Sequence, residues 1–530
     1  MSRTPVFTTP KPWLNQRQSG VLCHVSSLPG RFGIGNFGAS AHRLIDWLAA
    51  SGFHYWQICP LGPTGYGDSP YQSFSSYAGN PYFIDLAELA SQGLLHPEEL
   101  QPLEHLPPGR VDYGGLYRHF WPLLRLAADR FDPTHTEDGK VDWEAFQAAQ
   151  STWLESYAFF MALKAHHGGR AWTEWAEPYR DFHRLDPASL PEEVQAEARR
   201  RRIYQYWFFD QWQRLRTYAH ERGVEIIGDV PIFVAHDSAD VWSAPENFRL
   251  HADGRLQVSA GVPPDYYSEL GQFWGNPLYD WAYLRETGYR WWLDRLAGAF
   301  ALYDVVRLDH FRGFSTYWEI PGDAPDARTG QWQPGPGLDF FQAVYERFPA
   351  ARIIAEDLGY IDREVFELRE ATGLPGMKVL QFGFGHDANQ VNLPHHYPAH
   401  SVVYTGTHDN DTTVGWRASL QGGQEAAVQT YFDWGDPSTA WPLVRAALLS
   451  VSRLAVVPLQ DLLDLGPEAR MNLPGTQGGN WQWRCTDAQL DTLYAREAEL
   501  RRWNHLSGRT ADSLQHDFSA PPEDPAALHA

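Results

Sequence analysis

Eight short apolar or β-branched runs recur along the 530-residue chain, and each ends at a glycine, a proline, a serine or a carboxylate. Segments with helical periodicity lie between most of these runs. Because strand and helix alternate and the strands number eight, the pattern predicts an α/β fold, a (β/α)8 TIM barrel. The runs are Val21–Val25, Tyr55–Cys59, Val224–Gly228, Tyr303–Leu308, Arg352–Ala355, Lys378–Phe382, Val402–Thr405 and Leu454–Val457.

One gap in this series is too long for a simple connection between strands. The second and third runs are separated by 165 residues, so we expect a helical insertion subdomain at about 86–223. Only 73 residues follow the eighth run, which leaves no room for a separate C-terminal β-sandwich domain. The expected organisation is an N-terminal segment 1–19, a catalytic barrel 20–506 with mostly helical insertions and an active-site loop 261–275, and a flexible tail 507–530.

Charge and aromatic content narrow the classes of partner. The chain has 43 basic and 65 acidic residues, a net charge of −22, which argues against nucleic acid as a partner. Phe, Trp and Tyr make up 14% of the residues, more than a core needs, and exposed aromatic rings commonly stack on ligands with flat apolar faces, such as sugars. We expect a monomer or weak homo-oligomer that binds a small carbohydrate.

Cysteine usage and the N-terminus indicate the compartment. The three cysteines are too few and too scattered for a disulfide framework. The first residues lack a basic segment followed by an apolar run, and no window contains 18 consecutive apolar residues. The sequence therefore predicts a soluble cytoplasmic protein without a membrane partner.

Three carboxylates stand where predicted strands end: Asp309 at the fourth, Glu356 at the fifth and Asp409 at the seventh. Active sites of such barrels lie at the carboxyl ends of the strands. Two carboxylates on opposite sides of a sugar can cleave a glycosidic bond, one as proton donor and one as nucleophile or stabiliser. Arg307 has the same strand parity as Asp309 and would keep that carboxylate ionised.

Other interpretations of these residues stay open at this point. Each carboxylate could cap the following helix or pair with an arginine, and Asp229 could simply end the third strand. His310 and His408 stand beside carboxylates, where they could bind sugar hydroxyls or be structural. No third ligand accompanies the pair His395 and His396 in sequence, so no metal site is predicted.

Five longer motifs occur in order along the chain: Gly228-Asp-Val-Pro-Ile232, Arg307-Leu-Asp-His-Phe311, Ala355-Glu-Asp-Leu-Gly359, Gly406-Thr-His-Asp-Asn410 and Arg470-Met-Asn-Leu-Pro-Gly-Thr-Gln-Gly-Gly-Asn-Trp481. On these motifs the chain resembles the amylomaltases, bacterial 4-α-glucanotransferases of the α-amylase superfamily also called disproportionating enzymes, from about Gly20 to Trp503. One departure is Leu473, where a threonine is expected.

The resemblance implies roles for individual residues. Asp309 would be the nucleophile, Glu356 the general acid/base and Asp409 a third carboxylate that holds hydroxyls of the distorted sugar. Ten further residues would contact substrate. They are Asp229, Arg307 and His408 around the transferred sugar, Tyr71 beneath it, Asn480 on the acceptor side, Tyr266, Tyr267 and Trp274 in the active-site loop, and Tyr66 and Tyr117 outside the cleft.

The implied reaction is transfer of α-1,4-glucan segments between malto-oligosaccharides, with glucose as a further acceptor. The mechanism would be a retaining double displacement that uses no cofactor and no metal. An α-glucan hydrolase with the same carboxylates is the nearest alternative, and a non-catalytic glucan-binding protein is an alternative of another class.

Overall fold

The computed structural model describes residues 13–511 except 66, 136, 265–267, 360, 385–389 and 477. Twelve β-strands lie in this part of the chain, eight in one closed sheet and four in a second sheet. In chain order they are β1 Gln18–Leu22, β2 Tyr55–Gln57, β3 Glu225–Val230, β4 Val258–Val262, β5 Gln272–Pro277, β6 Val305–Leu308, β7 Thr316–Pro321, β8 Gln331–Pro334, β9 Ile353–Ala355, β10 Gly376–Val379, β11 Ser401–Tyr404 and β12 Leu454–Pro458.

The larger sheet is the predicted barrel. Its strands follow the order β1-β12-β11-β10-β9-β6-β3-β2 and close through the pairing of β1 with both β12 and β2. All of its strand pairs are parallel. Each of the eight apolar runs contributes one strand, so the expected (β/α)8 fold is confirmed.

The strands are buried on both faces, which explains why they read as continuous apolar runs. Side chains of one parity fill the barrel, including Ile227, Val305 and Tyr404, and Leu14 joins this cluster from the N-terminal segment. Side chains of the other parity pack in a second, larger core. Gly228 belongs to the outward parity, and a Cβ there would lie 2.1 Å from the ring of Tyr303, so the packed tyrosine ring leaves no room for a side chain at this position.

Nineteen α-helices surround the sheets in the described residues, and none is long and apolar enough to span a membrane. Seven of them, α2 to α8, form the long insertion between β2 and β3. The helices are α1 Ala39–Ala50, α2 Leu86–Ser91, α3 Pro97–Glu104, α4 Tyr113–Arg130, α5 Glu137–Ala149, α6 Leu154–His166, α7 Glu177–Arg180, α8 Glu192–Glu221, α9 Ala239–Ser243, α10 Trp281–Glu286, α11 Arg290–Leu302, α12 Gly337–Arg347, α13 Arg363–Thr372, α14 Thr413–Ser419, α15 Gly423–Phe432, α16 Trp441–Leu449, α17 Leu459–Leu462, α18 Asp487–Ala495 and α19 Glu497–Leu506.

The second sheet was not predicted, and it changes the picture of the active-site loop. Its four antiparallel strands have the order β5-β4-β7-β8. The segment 261–275 therefore begins in β4 and ends in β5, so the expected loop lies within a β-hairpin. Glycine and proline weaken the strand signal here. A Cβ at Gly261 would lie 2.1 Å from the carbonyl oxygen of Gln272, which explains why the closely approaching backbones require glycine.

The described part of the expected C-terminal tail is not a tail. Arg509 is fully buried, and its guanidinium donates hydrogen bonds to the carbonyl oxygens of Gln18 (2.7 Å), Ser452 (2.9 Å) and Arg453 (3.0 Å). These carbonyls lie at the start of β1 and just before β12, where the barrel closes. The boundary placed at 507 is therefore too early, while residues 512–530 lie outside the described residues.

We predict that Arg509→Met destabilises the protein by about 2–4 kcal/mol, because several buried carbonyls would lose a charged donor together. Urea unfolding followed by tryptophan fluorescence measures this change. Arg502→Met on the exposed face of α19 is the matched control and should unfold as the wild type does. Equal stability of both variants would show that residue 509 does not fasten the barrel closure.

Candidate active site

Backbone hydrogen bonds beyond the strand ends bring the first two carboxylates together. The amide of Asp309 donates to the carbonyl of Val230 (3.1 Å), and the amide of Glu356 donates to the carbonyl of Leu308 (3.0 Å). These bonds extend the parallel ladder of β3, β6 and β9. Asp309 and Glu356 therefore leave adjacent strands at the same level of the barrel's carboxyl face, as the sequence analysis expected.

A buried arginine connects two carboxylates inside the barrel. Arg307 pairs in register with Asp229 across β6 and β3, and its Nη1 lies 2.5 Å from Asp229 Oδ2 and 3.1 Å from Asp309 Oδ1. Burial raises the pKa of Asp229, while the charge of Arg307 opposes that shift. Arg307, Asp229 and Asp309 are thus one electrostatic unit, with Asp309 at its more exposed end.

Glu356 has a different electrostatic environment from Asp309. Burial, assisted by the negative charge of Asp309, raises the pKa of Glu356 to about 8 despite the opposing effect of Arg307. Its two oxygens accept hydrogen bonds from the amides of His310 (2.6 Å) and Leu358 (3.2 Å). Glu356 therefore holds a proton at neutral pH beside a carboxylate that is paired with a cation. Two neighbouring carboxyl groups in such different environments are typical of pairs of general acid and nucleophile.

The backbone of His310 adopts the left-handed region, with φ of 50°. Such a conformation is unusual for a residue other than glycine, and strained backbone conformations of this kind cluster at functional sites. Here it accompanies the bond from the His310 amide to Glu356. Burial lowers the pKa of the imidazole to about 4, so the ring is neutral, and it lies edge-on to Trp274 with a centroid distance of 5.0 Å.

Asp409 is held by hydrogen bonds from a loop that is distant in sequence. Asn472 Nδ2 donates to Asp409 Oδ1 (2.6 Å), and Arg470 Nη2 donates to the Asp409 carbonyl (2.7 Å). His408 Nε2 lies 3.4 Å from Asp409 Oδ2. Asn472 and Arg470 were not among the predicted site residues. Both stand in the motif that begins at Arg470, and that motif was the signal that could have indicated a contact with Asp409.

Aromatic side chains form a floor beside these carboxylates. Tyr71 stacks on His408 with a centroid distance of 5.0 Å and an angle of 20°, and its hydroxyl donates to Asp229 Oδ2 (2.7 Å). Trp481 lies 5.8 Å from Tyr71 and 5.7 Å from His408. Trp481 was missed by the sequence analysis, which assigned a role only to its neighbour Asn480. Trp481 and His408 are buried, so Tyr71 is the ring of these three that keeps more surface open to a ligand.

The remaining predicted residues lie in several different environments. Asn480 closes its own loop, because its Oδ1 accepts from the Leu473 amide (3.0 Å) and its Nδ2 donates to Thr476 Oγ1 (3.1 Å). Tyr117 is 73% exposed on α4. The substrate roles of Asn480 and Tyr117 stay predictions. Tyr66, Tyr266 and Tyr267 lie outside the described residues.

The three carboxylates do not serve as helix caps. The helices that follow Glu356 and Asp409, α13 and α14, are capped by Asp362 and Thr412, and the 3-10 turn after Asp309 has His310 at its cap position. Within the described part of the chain no group of three or more His, Cys, Asp or Glu side chains is placed to hold a metal ion. The cluster thus presents a proton donor, a paired carboxylate and a third acid around an aromatic floor, a set suited to glycosyl chemistry.

Comparison with known proteins also indicates an enzyme that acts on glucans. A family model described as 4-alpha-glucanotransferase matches residues 23–490. The 4-alpha-glucanotransferase of Thermus thermophilus is 48% identical over 486 residues, covering 89% of this chain and 96% of that protein. That of Streptococcus pneumoniae serotype 4 is 46% identical over 484 residues, covering 90% of this chain and 95% of that protein.

Solved structures agree with these sequence relationships. The amylomaltase from Streptococcus agalactiae in complex with acarbose superposes with a TM-score of 0.89 at 39% identity and covers 93% of this chain and all of that chain (100%). The amylomaltase from Corynebacterium glutamicum shares the fold, with a TM-score of 0.75 at 18% identity, covering 94% of this chain and 76% of that chain. The resemblance seen in the motifs is therefore confirmed, and the chain belongs to the 4-alpha-glucanotransferase family.

Proposed function

We propose that this 4-α-glucanotransferase transfers α-1,4-glucan segments by a retaining double displacement with Asp309 as nucleophile and Glu356 as general acid/base. The observation that carries the proposal is the contrast between these two neighbours. Burial keeps the proton on Glu356, while Arg307 ion-pairs with Asp309 at 3.1 Å. A retaining mechanism needs one protonated and one ionised carboxyl at the start of the reaction.

In the first step an oxygen of Asp309 attacks the anomeric carbon of the donor, and the bond to the leaving oxygen breaks. Glu356 gives its proton to that oxygen, so the leaving glucan departs with a free 4-hydroxyl. In the second step Glu356, now ionised, takes the proton from the 4-hydroxyl of the acceptor. That oxygen attacks the anomeric carbon and releases Asp309, which regenerates both groups.

The surrounding groups fit the sugar that is transferred. Asp229 is buried and would hold Arg307 and the Tyr71 hydroxyl in place beside the transferred sugar. Asp409, whose side chain is 44% exposed, and His408 supply a further acceptor and donor for hydroxyls. Tyr71 provides the apolar face beneath the ring, while the acceptors would be malto-oligosaccharides and glucose.

Transfer competes with hydrolysis, because water can attack the glycosyl-enzyme in place of a sugar. Trp274 is the described side chain of the 261–275 hairpin that reaches the site. It contacts His310, and its ring lies 6.3 Å from that of Phe233. Phe273 precedes it on β5 and, by strand alternation, points to the opposite face of the sheet. We propose that Trp274 excludes water and positions the acceptor.

The catalytic assignment predicts distinct defects for two variants. Asp309→Asn and Glu356→Gln should each lower transfer between maltotriose molecules by at least about a thousandfold without loss of thermal stability. With α-maltosyl fluoride, whose leaving group needs no proton, Glu356→Gln should form the glycosyl-enzyme again, whereas Asp309→Asn should not. Mass spectrometry of the trapped intermediate reads this out, and a label on Glu356 or Asp409 would contradict the assignment.

The raised pKa of Glu356 predicts the alkaline side of the pH profile. A general acid works only while protonated, so kcat/KM for maltotriose should fall as the pH rises above about 8, the pKa of this group. The same profile measured with α-maltosyl fluoride should lose that decline. An identical alkaline decline with both donors would mean that another group causes it.

The water-excluding role predicts a change of partition rather than a general loss. Trp274→Ala should raise the ratio of hydrolysis to transfer several-fold while the total rate falls. The increase in total reducing ends from maltotriose, which hydrolysis produces and transfer does not, gives the hydrolysis rate, and oligosaccharide redistribution gives the transfer rate. Phe273→Ala is the matched control on the same strand and should leave the ratio unchanged. Equal reductions of hydrolysis and transfer in Trp274→Ala would limit this residue to binding.

A further inference from the structure

Trp332 on β8 is an exposed tryptophan at the edge of the four-stranded sheet. Its exposed fraction is 39%, and its indole N–H donates no hydrogen bond within the described part of the chain. Trp318 is its partner on the neighbouring strand β7, so the exposed part of the Trp332 ring lies next to a second aromatic side chain. A large apolar ring with a free donor beside polar groups is suited to a ligand that has both a flat face and hydroxyls.

The ring is held rigidly from beneath. The guanidinium carbon of Arg312 lies 3.9 Å from its centroid, and Trp318 meets it edge-on at 5.2 Å. Arg312 is itself buried and fixed, because its Nη2 donates to Asp362 Oδ2 (2.8 Å) and Thr316 Oγ1 (3.1 Å). One face and one edge of Trp332 are therefore occupied by protein, and little side-chain freedom would be lost when a ligand covers the rest.

The supports of Trp332 belong to the same loops as the catalytic groups. Arg312 lies two residues after His310. The amide of His310 donates to Glu356 (2.6 Å). Asp362 follows Glu356 by six residues and caps α13. The ring is thus tied to the ends of β6 and β9, the strands that carry Asp309 and Glu356.

We propose that Trp332 is a stacking platform for a glucose unit of an α-1,4-glucan chain that extends beyond the carboxylate cluster. The apolar face of one glucose ring would cover the open part of the indole, and the indole N–H would donate to a hydroxyl of that chain. The inference rests on the proposed glucan substrate. It explains why a tryptophan is held rigid yet open on an edge strand, where exposed apolar residues otherwise favour aggregation.

The test is native electrophoresis in gels with and without soluble amylopectin, which slows proteins that bind the glucan. The dissociation constant of Trp332→Ala should rise about fivefold, as expected for loss of one stacked ring, and that of Trp332→Phe should rise less. Maltotriose kinetics and thermal stability are measured on the same variants. Phe366→Ala is the matched control, because Phe366 is 50% exposed and also lies against an arginine, with Arg369 5.0 Å from its ring.

The outcomes separate this inference from the proposed function. Weaker retardation of Trp332→Ala, with Phe366→Ala and maltotriose kinetics unchanged within about twofold, supports the platform. Equal retardation of wild type and Trp332→Ala overturns the platform but leaves the glucan substrate intact. Absence of retardation of the wild type, together with no turnover of maltotriose, would overturn the proposed function itself.

Discussion

The ion pairs of Arg307 are the interaction on which the active site depends. A guanidinium that is 3% exposed inside a packed barrel is costly unless carboxylates and hydrogen bonds compensate its charge. The register of β3 with β6 places Asp229 directly opposite, and Asp309 lies two residues farther along the same strand. The barrel therefore fixes the position of the proposed nucleophile through a charge that cannot be left unpaired.

The same arrangement accounts for the proton on Glu356. Arg307 already has Asp229 and Asp309 as close partners, and Glu356 is held instead by two backbone amides from loops. Burial then outweighs these bonds and the more distant cation, so the neutral form persists to about pH 8. The carboxyl group of Glu356 is thus neutral beside a carboxylate that contacts the arginine directly, mainly because Glu356 is buried.

Strand count and the positions of the three carboxylates could be predicted because they follow from local pattern and strand order. The second sheet could not, because a glycine or a proline stands in each of its strands and none of them is a continuous apolar run. The hydrogen bond from Asn472 to Asp409 joins residues 63 apart in sequence, and the hydrogen bond from Arg509 to Gln18 joins residues 491 apart. Neither has a periodic signal, since each depends on how distant loops meet in the folded chain.

The barrel strands and the inserted sheet carry different parts of the proposed site. The strand ends carry Arg307, Asp309 and Glu356, whose spacing must tolerate almost no movement, and the closed ladder supplies that rigidity. Trp274 and Trp332 belong to the antiparallel sheet, which is inserted around β6 and is not part of the barrel. Segments of this kind can vary without disturbing the barrel register. It follows that the contacts proposed for Trp274 with the acceptor and for Trp332 with the glucan can change while the electrostatics of Arg307, Asp309 and Glu356 stay the same.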